Sequence, residues 1–137
     1  MNIPRLKKEV SPLFAKHSAI EAVYLFGSIA HGQARAASDV DIAIRLMAGS
    51  TAQLGFDLRL NVMDELERHF TRPVDIVILN NASLKMIRQV LSRGELLYSR
   101  DEGAERLYAI QKQKAYFDFK YYIEKDREEL KSFFGVT

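Results

Sequence analysis

The chain has 137 residues, 47% of them hydrophobic and 28% charged, with a formal net charge of +2 and no cysteine. That length suits one domain able to bury about two-thirds of its unfolded surface, so no separate substrate domain is expected within it. The lack of cysteine excludes disulfides, thiolate catalysis and cysteine-held zinc, and the weak positive charge falls short of the clustered charge of a dedicated nucleic-acid binder.

The N-terminal stretch lacks the apolar core of a signal peptide, and no run of 18 apolar residues occurs, which predicts a soluble, cytoplasmic protein. Pro4 suits a first helical position. Leu6, Val10, Leu13 and Phe14 recur near helical spacing, predicting a helix to about Lys16 that Pro12 either kinks or splits. Ile20 to Phe26 reads as a strand with apolar residues on both faces, hence buried on both sides.

Gly27-Ser28 follows that strand directly. A glycine there lets the backbone approach a ligand closely, and Ser28 can open a short helix whose free N–H groups attract anions while its hydroxyl adds a donor. Taken alone, Gly-Ser is more often an ordinary turn with a serine cap than a ligand-binding one. In the small-residue loop from Gln33 to Ser38, Arg35 reaches either phosphate or solvent. The histidines His17, His31 and His69 lack the spacing of a metal site.

Asp39-Val40-Asp41 opens the next strand, running to Leu46. Residues two apart on a strand share a face, so Asp39 and Asp41 point the same way, with Ala43 and Arg45 continuing that face. Val40, Ile42, Ile44 and Leu46 take the core face. Two adjacent carboxylates repel, and a divalent cation with oxygen ligands resolves the repulsion; magnesium fits, especially with substrate phosphates completing its octahedron.

Gly49-Ser50-Thr51 is a turn with cap candidates, leading to a long helix whose Leu54, Leu58, Val62, Leu66 and Phe70 form the predicted core stripe, with Asp57, Asp64, Glu65 and Glu67 on its solvated side. Arg72-Pro73 breaks it before a third strand, Val74 to Leu79. Asp75 near the start of that strand is a charge in an apolar run, costly unless paired, metal-bound or touching solvent at the strand end. Asn80-Asn81 is a turn and cap before a helix through Leu84, Ile87, Val90 and Leu91 that stops at Gly94, and Glu95 to Ser99 is a short edge strand. From Asp101 the chain is one long helix with Tyr116, Phe117, Phe119, Tyr121, Tyr122 and Phe133 on a wide apolar side. Those aromatics either pack back on the domain, form a homodimer seam or dock another protein.

Gly-Ser, ten residues, then Asp-x-Asp recurs by chance in on the order of 1 chain in 500 of this length. The pattern resembles the signature of the nucleotidyltransferase superfamily with a polymerase-beta-like palm. At this length the chain resembles its minimal members, in particular the MNT antitoxins of HEPN-MNT toxin-antitoxin pairs, a likeness the segment Tyr116 to Lys120 shares less specifically. The resemblance implies an α+β (α/β-like) palm over residues 1–100, a small mixed sheet flanked by helices, and a C-terminal helical tail over residues 101–137 that serves as an interface within the same compact unit. It implies Gly27 and Ser28 as the nucleotide-binding turn, and Asp39, Asp41 and Asp75 as catalytic and metal-holding carboxylates, with two magnesium ions and ATP as substrate. The implied reaction is AMP transfer to a tyrosine of a partner HEPN toxin with release of pyrophosphate. The alternatives are an antitoxin acting by binding alone through the C-terminal helix, and a small-molecule nucleotidyltransferase of the antibiotic-modifying type. Many relatives have Arg where this chain has His31, so a phosphate or helix-end contact is expected to differ here.

Overall fold

A computed structural model describes residues 2–30 and 39–135, apart from the side chains of Ser28 and Ile29. The element order is α1 (Ile3–Ala15), β1 (Ile20–Phe26), α2 (Gly27–Ala30), β2 (Val40–Leu46), α3 (Ala52–Phe70), β3 (Val74–Ile78), α4 (Leu84–Arg93), β4 (Glu95–Ser99) and α5 (Glu102–Phe133). The strands form one mixed sheet in the order β3-β2-β1-β4, with β1 antiparallel to β2 and β4, and β2 parallel to β3. This is the α+β arrangement expected from the sequence. No helix among the described residues is long and apolar enough to cross a membrane.

Each sheet face is covered, which is why β1 is apolar on both sides. Leu6, Val10 and Phe14 of α1 and Leu58, Val62 and Leu66 of α3 pack on Val23, Leu25, Ile42 and Ile44. On the other face, Ile87 and Val90 of α4 pack on Ala22, Tyr24 and Ala43. Each such aliphatic side chain contributes roughly 1.5–3 kcal/mol by leaving water.

α1 passes through Pro12 without splitting. Its lost hydrogen bond would have gone to the carbonyl of Lys8, and both residues are exposed, so water satisfies that group. On α3, Thr51 caps the start by accepting from Leu54 N at 3.1 Å. The expected core stripe is only partly right: Leu58, Val62 and Leu66 are buried, but Leu54 is 42% exposed and Gly55 takes the inward place. A four-residue repeat overshoots the helical turn by about 40° per step, so five such residues cannot all face one core.

Two further expectations need correction. β3 ends at Ile78, and Leu79 turns into a short 3-10 segment, Leu79–Asn81, where its side chain joins the second core. The cap of α4 is Ser83, which accepts from Met86 N at 3.1 Å. Asn80 instead extends the β2–β3 pairing with its side chain, accepting from Leu46 N at 2.8 Å and donating to Leu46 O at 3.0 Å.

α5 is capped by Asp101, and its 32 residues extend about 48 Å. A single residue of it is buried, Glu105. That carboxylate accepts from the Tyr24 hydroxyl and from Arg45 Nε at 3.0 Å, and Arg45 lies 4.4 Å over the Tyr108 ring. Burial first, and the bond to Glu105 second, hold the Tyr24 hydroxyl well above the usual phenol range, so it remains a donor. The aromatics from Phe119 onward do not pack back on the domain: Phe119, Tyr121, Tyr122, Phe133 and Phe134 are all exposed.

Removing Glu105 strands the Arg45 charge, so Glu105→Ala is expected to cost about 3–5 kcal/mol in urea unfolding. The triple variant Tyr24→Phe/Arg45→Met/Glu105→Leu, which leaves no orphaned polar group, should recover most of that loss. A loss under about 1 kcal/mol for Glu105→Ala would mean that water reaches the pair.

Candidate active site

The sheet brings the phosphate-type turn and the carboxylates of separate strands together by register. Asp41 sits opposite Phe26 in the antiparallel β1–β2 pair and beside Asp75 in the parallel β2–β3 pair. Asp41 therefore has the end of β1 on one side and the Asp75 strand on the other. Asp39 lies one position before β2 on the same face, exposed.

Gly27 turns the chain out of β1 with φ +76, a conformation that favours glycine. A side chain here would also collide with the carboxylate, since its Cβ would fall 2.1 Å from Asp41 Oδ2. The backbone of the turn and the Asp41 carboxylate are thus in direct contact. α2 is a single helical turn, so it offers free N–H groups but little aligned dipole.

The Asp41 carboxyl is pushed above its ordinary range, by burial first and then by the charges of Asp75 and Asp39. The three acidic groups thus repel one another across adjacent strand positions, with Arg59 4.0 Å from Asp75 as a partial counter-charge. Among the described residues no three or more His, Cys, Asp or Glu side chains are placed so that they could hold a metal ion. The three aspartates form only an open arc, brought together by strand register.

Of the alternatives open for it, Asp75 shows contact with solvent beside a basic partner. Its side chain is 60% exposed at the outer edge of the sheet, with Arg59 Nη2 4.0 Å from its Oδ1. It belongs to the site through strand register, and its exposure makes the charge cheap. Sequence reasoning missed Arg59, because its approach depends on how α3 crosses the edge of β3. It also missed Glu105, whose burial shows in no local pattern. His17 and His69 pair with Glu65 and Glu9, each at 3.3 Å, away from the aspartates. His31, Arg35 and the Ser28 side chain lie outside the described residues.

Comparison with known proteins bears on the family and the fold. The family profile described as polymerase beta, nucleotidyltransferase matches residues 8–103. The protein adenylyltransferase MntA of Shewanella oneidensis is 32% identical over 91 residues, covering 66% of this chain and 62% of that protein, so the match spans under two-thirds of the relative's length. The fold is similar to a crystal structure of a toxin-antitoxin with AMP-PNP, with TM-score 0.71, 22% identity, and coverage of 90% of this chain and 97% of that one. It is also similar to a chain of the tri-AMPylated Shewanella oneidensis HEPN toxin in complex with MNT antitoxin, with TM-score 0.68, 19% identity and coverage of 94% and 98%.

The raised Asp41 carboxyl has a sign that can be tested. Just above the ordinary carboxylate value the folded state binds more protons than the unfolded state, so stability falls as pH rises through that window and stays lower above it. Asp41→Asn should therefore be more stable than the parent at neutral pH, by on the order of a few tenths of a kcal/mol because the group is partly solvent-screened. Denaturant titration at pH 4 and pH 7 measures it; an Asp41→Asn protein less stable at pH 7 would contradict the repulsion. Gly27→Ala should lose about 1–3 kcal/mol, part of it recovered by adding Asp41→Ala.

Proposed function

The chain belongs to the polymerase-beta nucleotidyltransferase family, and on that footing we propose that it is an antitoxin that adenylylates its toxin. It transfers AMP from ATP to a tyrosine hydroxyl of a HEPN-type toxin in the cytoplasm and releases pyrophosphate. The observation that carries this reading is the contact between the Gly27 backbone and Asp41, with Asp75 at the same register. Polyphosphate grip and carboxylates are contiguous, as a nucleotidyl transfer needs. The adenylyltransferase relative supports the choice of AMP, and the toxin-antitoxin neighbours support the choice of partner.

The aspartate arc offers the hard oxygens that magnesium takes, and since it does not by itself enclose an ion, substrate phosphates would have to complete the coordination. Asp39, Asp41 and Asp75 would hold it, as a two-ion site with ATP bound. Magnesium bound there neutralises the triphosphate and the charge that develops on the departing pyrophosphate. The backbone N–H groups of the Gly27-Ser28 turn and the Ser28 hydroxyl hold the outer phosphates. Asp39 and Asp41 orient the α-phosphate. Asp75 takes the proton of the tyrosine hydroxyl as its oxygen bonds to the α-phosphorus. The α–β phosphoanhydride bond breaks, and pyrophosphate leaves with its electron pair.

Residues 1–100 carry this chemistry, and the 101–137 tail holds the partner through its exposed aromatics, an apolar density unusual on a free surface. That same exposure favours a second reading, in which binding through α5 alone neutralises the toxin.

One assay separates the two. The purified protein and the product of its neighbouring gene are incubated with magnesium and α-labelled ATP, wild type against Asp39→Asn/Asp41→Asn. Label should enter the partner with wild type and fall by about 10²–10³-fold or more in the variant. If the two proteins bind tightly and neither labels, binding alone is the function. Phe119→Asp/Tyr122→Asp should weaken the complex at least about tenfold without lowering stability, since both residues are exposed.

A further inference from the structure

Beside Asp75, and outside the aspartate arc, a groove of about 480 Å³ runs between α3 and the outer edge of β3. Gly55, Val77 and Ile78 line its apolar part, Asp75 and Asn81 are among its polar residues, and Phe56 and Arg59 line it from α3. Phe56 is 55% exposed, a large aromatic held out of the core at the groove. β3 is an edge strand, paired on one side by β2, so its other edge presents backbone groups with no strand partner among the described residues.

We infer that this groove is the acceptor subsite, taking the tyrosine of an extended partner segment, with Phe56 against the phenol ring and Arg59 beside the segment's backbone carbonyls. The inference rests on the adenylyl-transfer reading and adds where the acceptor enters. In-line displacement puts the attacking oxygen and the leaving group on opposite sides of the α-phosphorus. The turn that would hold the departing pyrophosphate follows β1, and Asp75 lies on β3, with Asp41 on β2 between them. Strands sit about 4.8 Å apart, so the two ends of the reaction line span roughly 10 Å across the sheet. The acceptor must therefore come from the β3 side, where this groove opens at Asp75.

The chemistry of the lining suits a tyrosine. An exposed aromatic and an apolar floor receive a ring, while a carboxylate at one end receives a hydroxyl proton. Arg59 Nη2 lies 4.0 Å from Asp75 Oδ1, so a basic group stands beside that carboxylate on the groove lining. The open strand edge can add the flanking backbone as a further strand. In the transfer, the phenol oxygen forms the new bond to the α-phosphorus, its proton passes to Asp75, and pyrophosphate departs on the β1 side.

The test uses the full chain, the partner protein encoded beside it, and α-labelled ATP. Phe56→Ala and Arg59→Ala are both on the exposed side of α3, so folding is retained. Each should raise the apparent KM for the partner about tenfold, the loss of one anchoring contact; Phe56→Ala should leave the KM for ATP unchanged, and Phe56→Trp should restore the partner KM. A benzophenone amino acid at position 56 should crosslink to the partner segment that carries the label. Unchanged partner KM in both variants overturns the groove alone. A rise confined to the KM for ATP also overturns it, giving the groove to the nucleotide. A wild-type protein that labels no partner overturns the adenylyl-transfer reading itself, and the groove with it.

Discussion

The site depends on one close approach: the Asp41 carboxylate occupies the space that any side chain at position 27 would need. That contact sets where β1 must end, because Phe26 opposite Asp41 is the last paired residue before the chain turns through a left-handed glycine. With no Cβ between them, the backbone of the turn and a carboxylate border the same small volume, the juxtaposition on which the proposed phosphate-and-cation site rests. The register of β3 then decides that a third carboxylate stands beside Asp41 rather than one residue away on the opposite face.

A second constraint ties the long helix to this sheet. Glu105 is a buried carboxylate, and a buried charge is tolerated where its partners are well placed. Here they are Tyr24 on β1 and Arg45 on β2, the latter on the same strand face as Asp39 and Asp41. The anchor at the base of α5 is therefore polar and directional, fixing the direction in which the helix leaves the domain. Beyond it, Arg88 of α4 lies 4.6 Å from the Tyr116 ring and 4.8 Å from Phe117, a further contact along the same side. After that point the large apolar side chains of α5, from Phe119 on, are exposed.

Much of this was legible in the residues. β1, β2 and β4 fall where apolar runs bounded by turn residues put them, and the Gly-Ser and Asp-x-Asp pair marked the turn and the carboxylate strand. The errors share a cause, that the decisive contact is made by another element. Leu54 fits a helical repeat but lies where α3 has rotated away from the sheet. Asn80 looks like a helix cap, yet its amide bonds Leu46, 34 residues earlier. For Asp75 the sequence left solvent, pairing and metal binding open, and it is the edge position of β3 that puts the side chain in solvent beside Arg59. Glu105 sits in a helix rich in charge, with no local mark of its burial.

Asp41 and Asp75 carry their charges in different surroundings. Asp41 is half-buried against the Gly27 turn, and its carboxyl is raised by burial first and by the charges of Asp75 and Asp39 second. Asp75 is 60% exposed at the sheet edge with Arg59 4.0 Å away, so water screens most of its charge. On the proposed adenylyl-transfer reading a cation would relieve the repulsion at Asp41, and because the described aspartates do not by themselves enclose an ion, phosphate oxygens would have to complete its shell. α2 is too short for its dipole to hold a triphosphate unaided, so on that reading nucleotide and ion would each support the binding of the other.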